Sequence, residues 1–230
     1  DFYFDDHTWA IRYLVADTGN WLPSRKVLLS PSSIGVPDWN EHLVPVLLTK
    51  DKIEGSPSIA SDRPVSRQLE TDIAGYYGWP MYWSPTAGGG TAFAGIMPAT
   101  PPPLPKKAMN PPSEKEGDPH LRSIHEITGY HIHATDGGVG HVVDAIVQTD
   151  HWTLRYFVVD TQTWLPGRRV LLSPLWIDRI SWPREEIFVK LDREAIEGSP
   201  EYDPSVPINR EYEARLHDYY GIPRYWEKTS

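Results

Sequence analysis

Hydrophobic and polar residues alternate along several short stretches in the second half of the chain. The stretch WTLRYFVVD at 152–160 alternates and is rich in β-branched and aromatic residues, which predicts a strand. A turn marked by Pro166 and Gly167 leads to a second predicted strand at 168–173, and a third follows at 186–192. Short strands joined by tight turns, without strand and helix alternation, favour a small antiparallel barrel over a parallel sheet.

Two further patterns complete this half. Residues 127–147, ITGYHIHATDGGVGHVVDAIV, have an alternating segment, an Asp-Gly-Gly turn and a β-branched segment, which together predict a β-hairpin. The later stretch NREYEARLHDYYG has helical periodicity, with Tyr212, Leu216 and Tyr219 on one face. The predicted ends of this helix are an N-cap and a glycine stop, at Asn209 and Gly221. The corresponding residues in the first half are Ser66, Leu69, Ile73, Tyr76 and Gly78.

The two halves repeat one another at a fixed offset of 143 residues. Trp21 aligns with Trp164, and IEGSP occurs at 53–57 and again at 196–200. Of the 79 positions from 5 to 83, 33 are identical to their partners 143 residues later. Similarity this extensive at one offset indicates a tandem duplication.

The duplication predicts three parts. Copy one covers 1–83, a segment rich in Pro, Gly, Ala and Ser covers 84–120, and copy two covers 121–230. The middle segment lacks apolar periodicity, so we expect a partly polyproline linker. Because Asp144 aligns with Asp1, the sequence begins inside the second strand of copy one's hairpin, and we expect residues upstream that carry its first strand.

The composition excludes several classes of protein. The chain has 22 Lys and Arg against 31 Asp and Glu, a formal net charge of −9, which argues against nucleic acid as a partner. It has no cysteine, so disulfides and thiolate zinc sites are excluded, and a reducing compartment is compatible. No long apolar run or signal pattern is present in the sequence. We therefore expect a cytoplasmic protein.

The sequence carries no strong signature of catalysis. The GxSxG, P-loop, GxGxxG and HExxH motifs are all missing, and we predict no catalytic residue and no cofactor. Adjacent or nearby carboxylates such as Glu211 and Glu213 are expected on a solvated helix face, where they favour solubility over glycoside chemistry.

Three histidines are weak candidates for a metal site. His131 and His133 are expected on the same face of one strand, and His141 lies on the returning strand. The register of the hairpin decides which of them meet, and the turn allows more than one register. We favour surface histidines, with a two- or three-nitrogen metal site as the alternative.

The segments GYHIHATDGGVGHVVDAIV, WTLRYFVVDT, WLPGRRVLLSP and HDYYGIPRYW resemble the PRC-barrel family. That family includes the cytoplasmic domain of the photosynthetic reaction centre H subunit and the barrel of ribosome maturation factors. The resemblance covers 127–226 and all of copy one that the sequence contains. It implies a small β-barrel of six or so strands that acts as an interaction module, without a catalytic residue set. The sequence shows neither the H subunit's membrane helix nor the partner domain of the ribosome factors.

The fold class expected is therefore mainly β, with two small antiparallel PRC-type barrels, each closed by a C-terminal helix and joined by the linker. Aromatic residues at the ends of both copies are candidate interface anchors: Tyr82, Trp83, Tyr225 and Trp226. We expect barrels to pair within the chain or as a homodimer, which would cover open strand edges.

Two functional classes remain. The favoured one is a non-enzymatic interaction or scaffold module that binds another protein or a membrane-associated complex. The alternative is an enzyme or a metal-binding protein with a site between the two barrels.

Overall fold

The structure is a computed structural model, and it describes most of the chain. The described residues are 1–19, 25–59, 65–81, 120–161, 167–222, 224 and 226. The chain divides into two compact units, Asp1–Ser123 and Ile124–Ser230, and both are mainly β. No helix in the described part of the chain has the length and apolar character needed to cross a lipid bilayer. Apart from residue 120, the predicted linker lies outside the described residues.

In its described residues, the first unit contains one sheet and two α-helices. Its strands are β1 (Phe2–Asp5), β2 (Ile11–Asp17), β3 (Lys26–Leu29), β4 (Ser58–Ile59) and β5 (Leu121–Ser123), and its helices are α1 (Lys50–Glu54) and α2 (Arg67–Tyr77). The strand order is β4-β3-β2-β1-β5, and all neighbours are antiparallel. We expected residue 121 to open copy two, but β5 pairs with β1 in the first sheet, where Ser123 lies opposite Tyr3.

The second unit contains a six-stranded sheet. Its strands are β6 (His131–Ala134), β7 (Gly137–Gln148), β8 (Thr153–Asp160), β9 (Arg169–Leu172), β10 (Ile177–Ser181) and β11 (Glu186–Val189). Its helices are α3 (Ile124–Ile127), α4 (Arg193–Glu197) and α5 (Arg210–Tyr220). The strand order is β10-β11-β6-β7-β8-β9. One pair departs from the antiparallel arrangement that we expected, because β11 runs parallel to β6. Strands joined by a hairpin must be antiparallel, whereas these two are far apart in the chain and are free of that constraint.

The two copies share unusual backbone conformations at the same offset of 143 residues. Trp9 and Trp152 both have positive φ, at 61° and 49°, and so do His42 and Glu185, at 53° and 57°. Residues other than glycine rarely adopt positive φ. Two matched pairs therefore indicate that the copies fold alike locally.

The predicted ends of both long helices are confirmed. The side chain of Ser66 accepts a hydrogen bond from a backbone amide in the first turn of α2, and Asn209 does the same for α5. Gly78 and Gly221 follow the two helices with φ of 74° and 63°, which is the left-handed stop that glycine favours.

The prediction of the buried helix face was partly wrong. Tyr76 and Tyr219 are 39 % and 44 % exposed, and the tyrosines that pack inward are their neighbours Tyr77 and Tyr220. Consecutive helical residues point about 100° apart, so a tyrosine pair places one ring on each side of the boundary between core and solvent. The outer ring still has a contact in copy one, because the Tyr76 hydroxyl donates to the carbonyl oxygen of Lys52 at 2.9 Å.

Alkaline pH is expected to destabilise the second unit through Tyr220. Burial raises the pKa of Tyr220 to about 12. A pKa raised by folding means that the neutral phenol is stabilised, so this contribution is complete below pH 10 and is lost as pH rises towards 12. Urea unfolding at pH 9 to 12 should show a loss of about 2 kcal/mol that the Tyr220→Phe variant lacks. If the free energy of unfolding falls equally with pH in the two proteins, this expectation is wrong.

Candidate functional site

The first unit exposes five large apolar side chains within a stretch of twelve residues. We call this set the apolar surface; its members and their exposed fractions are Val36 (88 %), Trp39 (71 %), Leu43 (61 %), Val44 (49 %) and Leu47 (69 %). Single exposed apolar side chains are ordinary, but a local cluster of this kind marks interaction sites. The apolar surface is therefore the first candidate for function.

Backbone hydrogen bonds hold this stretch as a short hairpin. Asp38 and Leu43 exchange two of them, at 2.8 and 3.0 Å. Gly35 donates to the carbonyl oxygen of Pro45 at 2.8 Å, and the amide of Leu47 donates to the other arm at 2.7 Å. Residues 43, 45 and 47 thus all bond towards the other arm of the hairpin.

The outer edge of this hairpin is formed by Val44 and Val46. In an extended chain the peptide groups of successive residues point to alternate sides. Because their neighbours bond inward, Val44 and Val46 direct their N–H and C=O groups to the opposite edge. Pro45 has no N–H group, but its nitrogen faces the other arm of the hairpin, so this proline does not interrupt the outer edge.

The second unit shows what lies against the equivalent edge. Val44 corresponds to Ile187 on β11, and β6 pairs with that strand so that Ile132 lies opposite Ile187. Both isoleucines are buried, and Ile187 is 0 % exposed where Val44 is 49 % exposed. Trp182, the counterpart of Trp39, contacts the ring of Tyr130 just before β6, edge-on with ring centroids 5.8 Å apart.

The outer face of the hairpin differs in chemistry between the copies. In the second unit the guanidinium of Arg179 lies over the ring of Phe188 at 3.6 Å, and Glu186 Oε1 is 3.5 Å from His133 Nε2. In the first unit apolar residues replace three charged counterparts: Val36 for Arg179, Leu43 for Glu186 and Leu47 for Lys190. Loss of charge at the centre of a patch is typical of protein interfaces.

The three candidate histidines lie on the β6–β7 hairpin. Ile132 and Ala134 are buried, so His131 and His133 share the other face, as the alternation predicted. His131 lies opposite His141, while the ring of His133 stacks on Phe188 at 5.0 Å. In the described part of the chain, the group of three ligand residues whose atoms lie within 4.8 Å of one another does not include these histidines.

Of the four aromatic interface candidates, only one can be placed. Tyr82, Trp83 and Tyr225 lie outside the described residues. The ring of Trp226 lies against α5 of its own unit, edge-on to His217 at 5.0 Å and beneath the guanidinium of Arg210 at 4.4 Å.

A buried polar network was missed by the sequence interpretation, which placed Glu213 on a solvated face. The Glu213 carboxylate is buried and accepts hydrogen bonds from Tyr156 at 3.2 Å and from Arg210 at 2.9 Å. The Tyr156 hydroxyl also lies 3.3 Å from His217 Nε2. A carboxylate can be buried when it is paired in this way, and the network ties α5 to β8.

The first unit contains the matching network, and its sequence signal was available. Glu70 is fully buried, with Arg67 Nη1 at 3.1 Å, and the Glu70 carboxylate also accepts a hydrogen bond from Tyr13. Burial, with the charge of Glu70 as the next cause, raises the pKa of Tyr13 well above its usual range. Tyrosine, arginine and glutamate recur at all three positions of both copies, although the helices around them differ.

Comparisons with known proteins returned no match: no protein-family model matches this chain, and neither does any curated protein.

Proposed function

We propose that this protein is a non-enzymatic interaction module made of two PRC-type β-barrels joined by a linker, and that its first barrel binds a β-strand of a partner protein. The partner strand is added at the edge formed by Val44 and Val46. The observation that carries this proposal is the apolar surface, whose counterpart in the second unit is covered by β6. Strand addition of this kind combines backbone hydrogen bonds with pockets for alternate side chains.

The barrel assignment is supported by the strand order of the second unit. Its strands are neighbours in chain order from β6 to β9 and again from β10 to β11, and the last strand pairs with the first. The chain between β9 and β10 forms a short 3-10 turn at Pro174–Trp176. The edge strands of this sheet are β10 and β9, and the short connection between them favours their coming together to close a barrel.

The chemistry of the bound strand follows from the two faces that it must cover. Its inner face meets Val44 and Trp39, so an apolar residue is required at the position that Ile132 occupies in the second unit. Its outer face lies next to Leu43, whereas His133 of β6 lies next to Glu186. The first barrel therefore selects a strand that is apolar on both faces, since a histidine there would lose its charged neighbour.

The occupant proposed for this edge is a strand of another protein, and copy one's own first strand, expected upstream of Asp1, is the competing occupant. Exposed, apolar strand edges invite pairing with other chains, and sheets normally protect them with charge. Copy two carries charge at three positions where copy one is apolar, so copy one lacks that protection. By the resemblance to the H subunit, a membrane-associated complex is the first class of partner to test. The cysteine-free composition is compatible with the cytoplasm, which we propose as its compartment.

Two labelled peptides test the proposal. One copies residues 128–143, TGYHIHATDGGVGHVV, and the other carries His131→Val and His133→Val. Fluorescence anisotropy with the full chain should show at least about tenfold tighter binding of the valine peptide, a difference of about 1.4 kcal/mol. The Leu43→Glu variant restores the charge found at residue 186 and should reduce this preference.

Two controls locate the binding. Val44→Pro removes an edge N–H while leaving the inward bonds intact, so it should weaken binding about tenfold. In the second control, residues 128–143 are fused ahead of Asp1. Because residue 143 directly precedes the residue that aligns with Asp1, the fused segment should pair with the edge as β6 does in the second unit. The fused chain should then no longer bind the free peptide. Binding that survives the fusion would contradict the proposal. Light scattering that shows a dimer dissociated by Leu47→Lys would instead assign the surface to a second copy.

A further inference from the structure

The first unit also contains a cluster of polar residues that is distant in the sequence from the edge formed by Val44 and Val46. β1 ends at Asp5, and the following turn contains Asp6 and His7. The pairing of β1 with β5 brings His120 next to this turn, where the amide of Asp6 donates to the carbonyl oxygen of His120 at 2.9 Å. Residues separated by more than a hundred positions are thus held together by the register of two strands.

The ligand atoms of this cluster converge on one carboxylate oxygen. His120 Nδ1 is 3.0 Å from Asp6 Oδ1, and His7 Nδ1 is 3.1 Å from the same oxygen. The two imidazole rings are edge-on, with centroids 3.9 Å apart. In a tetrahedral zinc site with bonds of about 2.0 Å, neighbouring ligand atoms are separated by roughly 3.3 Å. The two distances to the Asp6 oxygen are close to that separation, and all three ligand atoms lie within 4.8 Å of one another.

The surroundings favour a site that is both oriented and accessible. The Asp6 side chain is 12 % exposed, and its other oxygen, Oδ2, is 3.7 Å from Arg122 Nε. Arg122 therefore orients the carboxylate from the side away from the histidines. His120 is half-buried and His7 is exposed, so an ion can enter and keep water at its remaining position.

We propose that Asp6, His7 and His120 bind a divalent transition-metal ion of the Zn²⁺ class and so fasten β5 to the turn after β1. Two imidazoles and one carboxylate suit zinc and its neighbours, whereas Mg²⁺ and Ca²⁺ prefer sites made of oxygen ligands alone. This site is independent of strand binding at Val44 and Val46. It also differs from the histidines of the β6–β7 hairpin that the sequence suggested.

Zinc titration of the full chain by calorimetry tests the site. We expect one saturable site at pH 7.5 that millimolar Mg²⁺ does not displace. His120→Ala and His7→Ala should each weaken it at least tenfold, because loss of even an outer-shell partner costs a metal site about 10- to 100-fold in affinity. His7 lies on an exposed turn, so its removal leaves the fold intact even if His120→Ala disturbs β5. The matched control is His151→Ala, in an exposed turn of the second unit, which should bind zinc as the unchanged chain does.

Cobalt absorption provides a second readout. Co²⁺ in the same site should give a visible spectrum that is lost in both His7→Ala and His120→Ala but kept in His151→Ala. Absence of saturable zinc binding would overturn the proposal. So would binding that survives both substitutions and is lost on replacing His131 and His141, because the metal would then lie on the β6–β7 hairpin.

Discussion

Replacing Gly140 by alanine is expected to destabilise the second unit by about 3 kcal/mol or more, the upper range for overpacking a core. A Cβ at this position would overlap the carbonyl oxygen of Asp160 and lie 2.9 Å from its carbonyl carbon and 3.1 Å from the Cα of Thr161. These atoms belong to the backbone, and both residues are buried, so neither can move aside as a flexible side chain would. The added methyl must therefore separate β7 from the end of β8.

Differential scanning calorimetry measures this effect. A loss of 3 kcal/mol lowers the melting temperature of a domain of about 100 residues by roughly 10–20 °C. Only the transition of the second unit should move, which makes the first unit an internal control. The matched variant is Gly138→Ala on the same strand, where a Cβ meets no atom within 4 Å and the melting temperature should be nearly unchanged. Equal melting temperatures for Gly140→Ala and Gly138→Ala would refute this account of β7.

The second large effect is expected for Glu70→Ala, which should destabilise the first unit by about 3 kcal/mol. Breaking a buried ion pair on one side leaves its partners without compensation. Here the change leaves Arg67 without the carboxylate at 3.1 Å, and the buried Tyr13 hydroxyl without its acceptor. Urea unfolding followed by circular dichroism measures the loss, and Gln68→Ala on the exposed side of α2 is the matched control.

Glu213→Ala in the second unit provides an informative comparison. This substitution also removes the carboxylate that accepts from Tyr156 and Arg210. The Tyr156 hydroxyl, however, still lies 3.3 Å from His217 Nε2. The corresponding position in the first unit is Ala74, which offers no such partner. The effect of Glu213→Ala should therefore be smaller than that of Glu70→Ala, and the reverse order would show that the histidine does not support the tyrosine.

Features set by local pattern were predictable from the sequence. The alternation in WTLRYFVVD gave β8, and the caps at Ser66 and Asn209 and the stops at Gly78 and Gly221 are where capping chemistry requires them. The face shared by His131 and His133 also followed from alternation, since side-chain direction in a strand has a period of two residues.

Features set by long-range pairing were not predictable. Nothing in the local sequence brings His120 to Asp6, because the register of β5 on β1 decides it. Glu213 was misplaced because isolated glutamates on helices are usually solvated, and only the partners from β8 and the first helical turn make burial favourable. The apolar surface does have a signal in the sequence, because copy one has Leu43 at the position where copy two has Glu186.

Hydrogen–deuterium exchange of the full chain, with and without the valine peptide, reports on the edge formed by Val44 and Val46 residue by residue. If the partner strand is added at the outer edge of the first unit's hairpin, the amides of Val44 and Val46 should exchange more slowly in the complex. The corresponding amides of β11, already paired with β6, should not change. Bound peptide without slower exchange at Val44 and Val46, or with protection confined to other segments, would contradict strand addition at this edge.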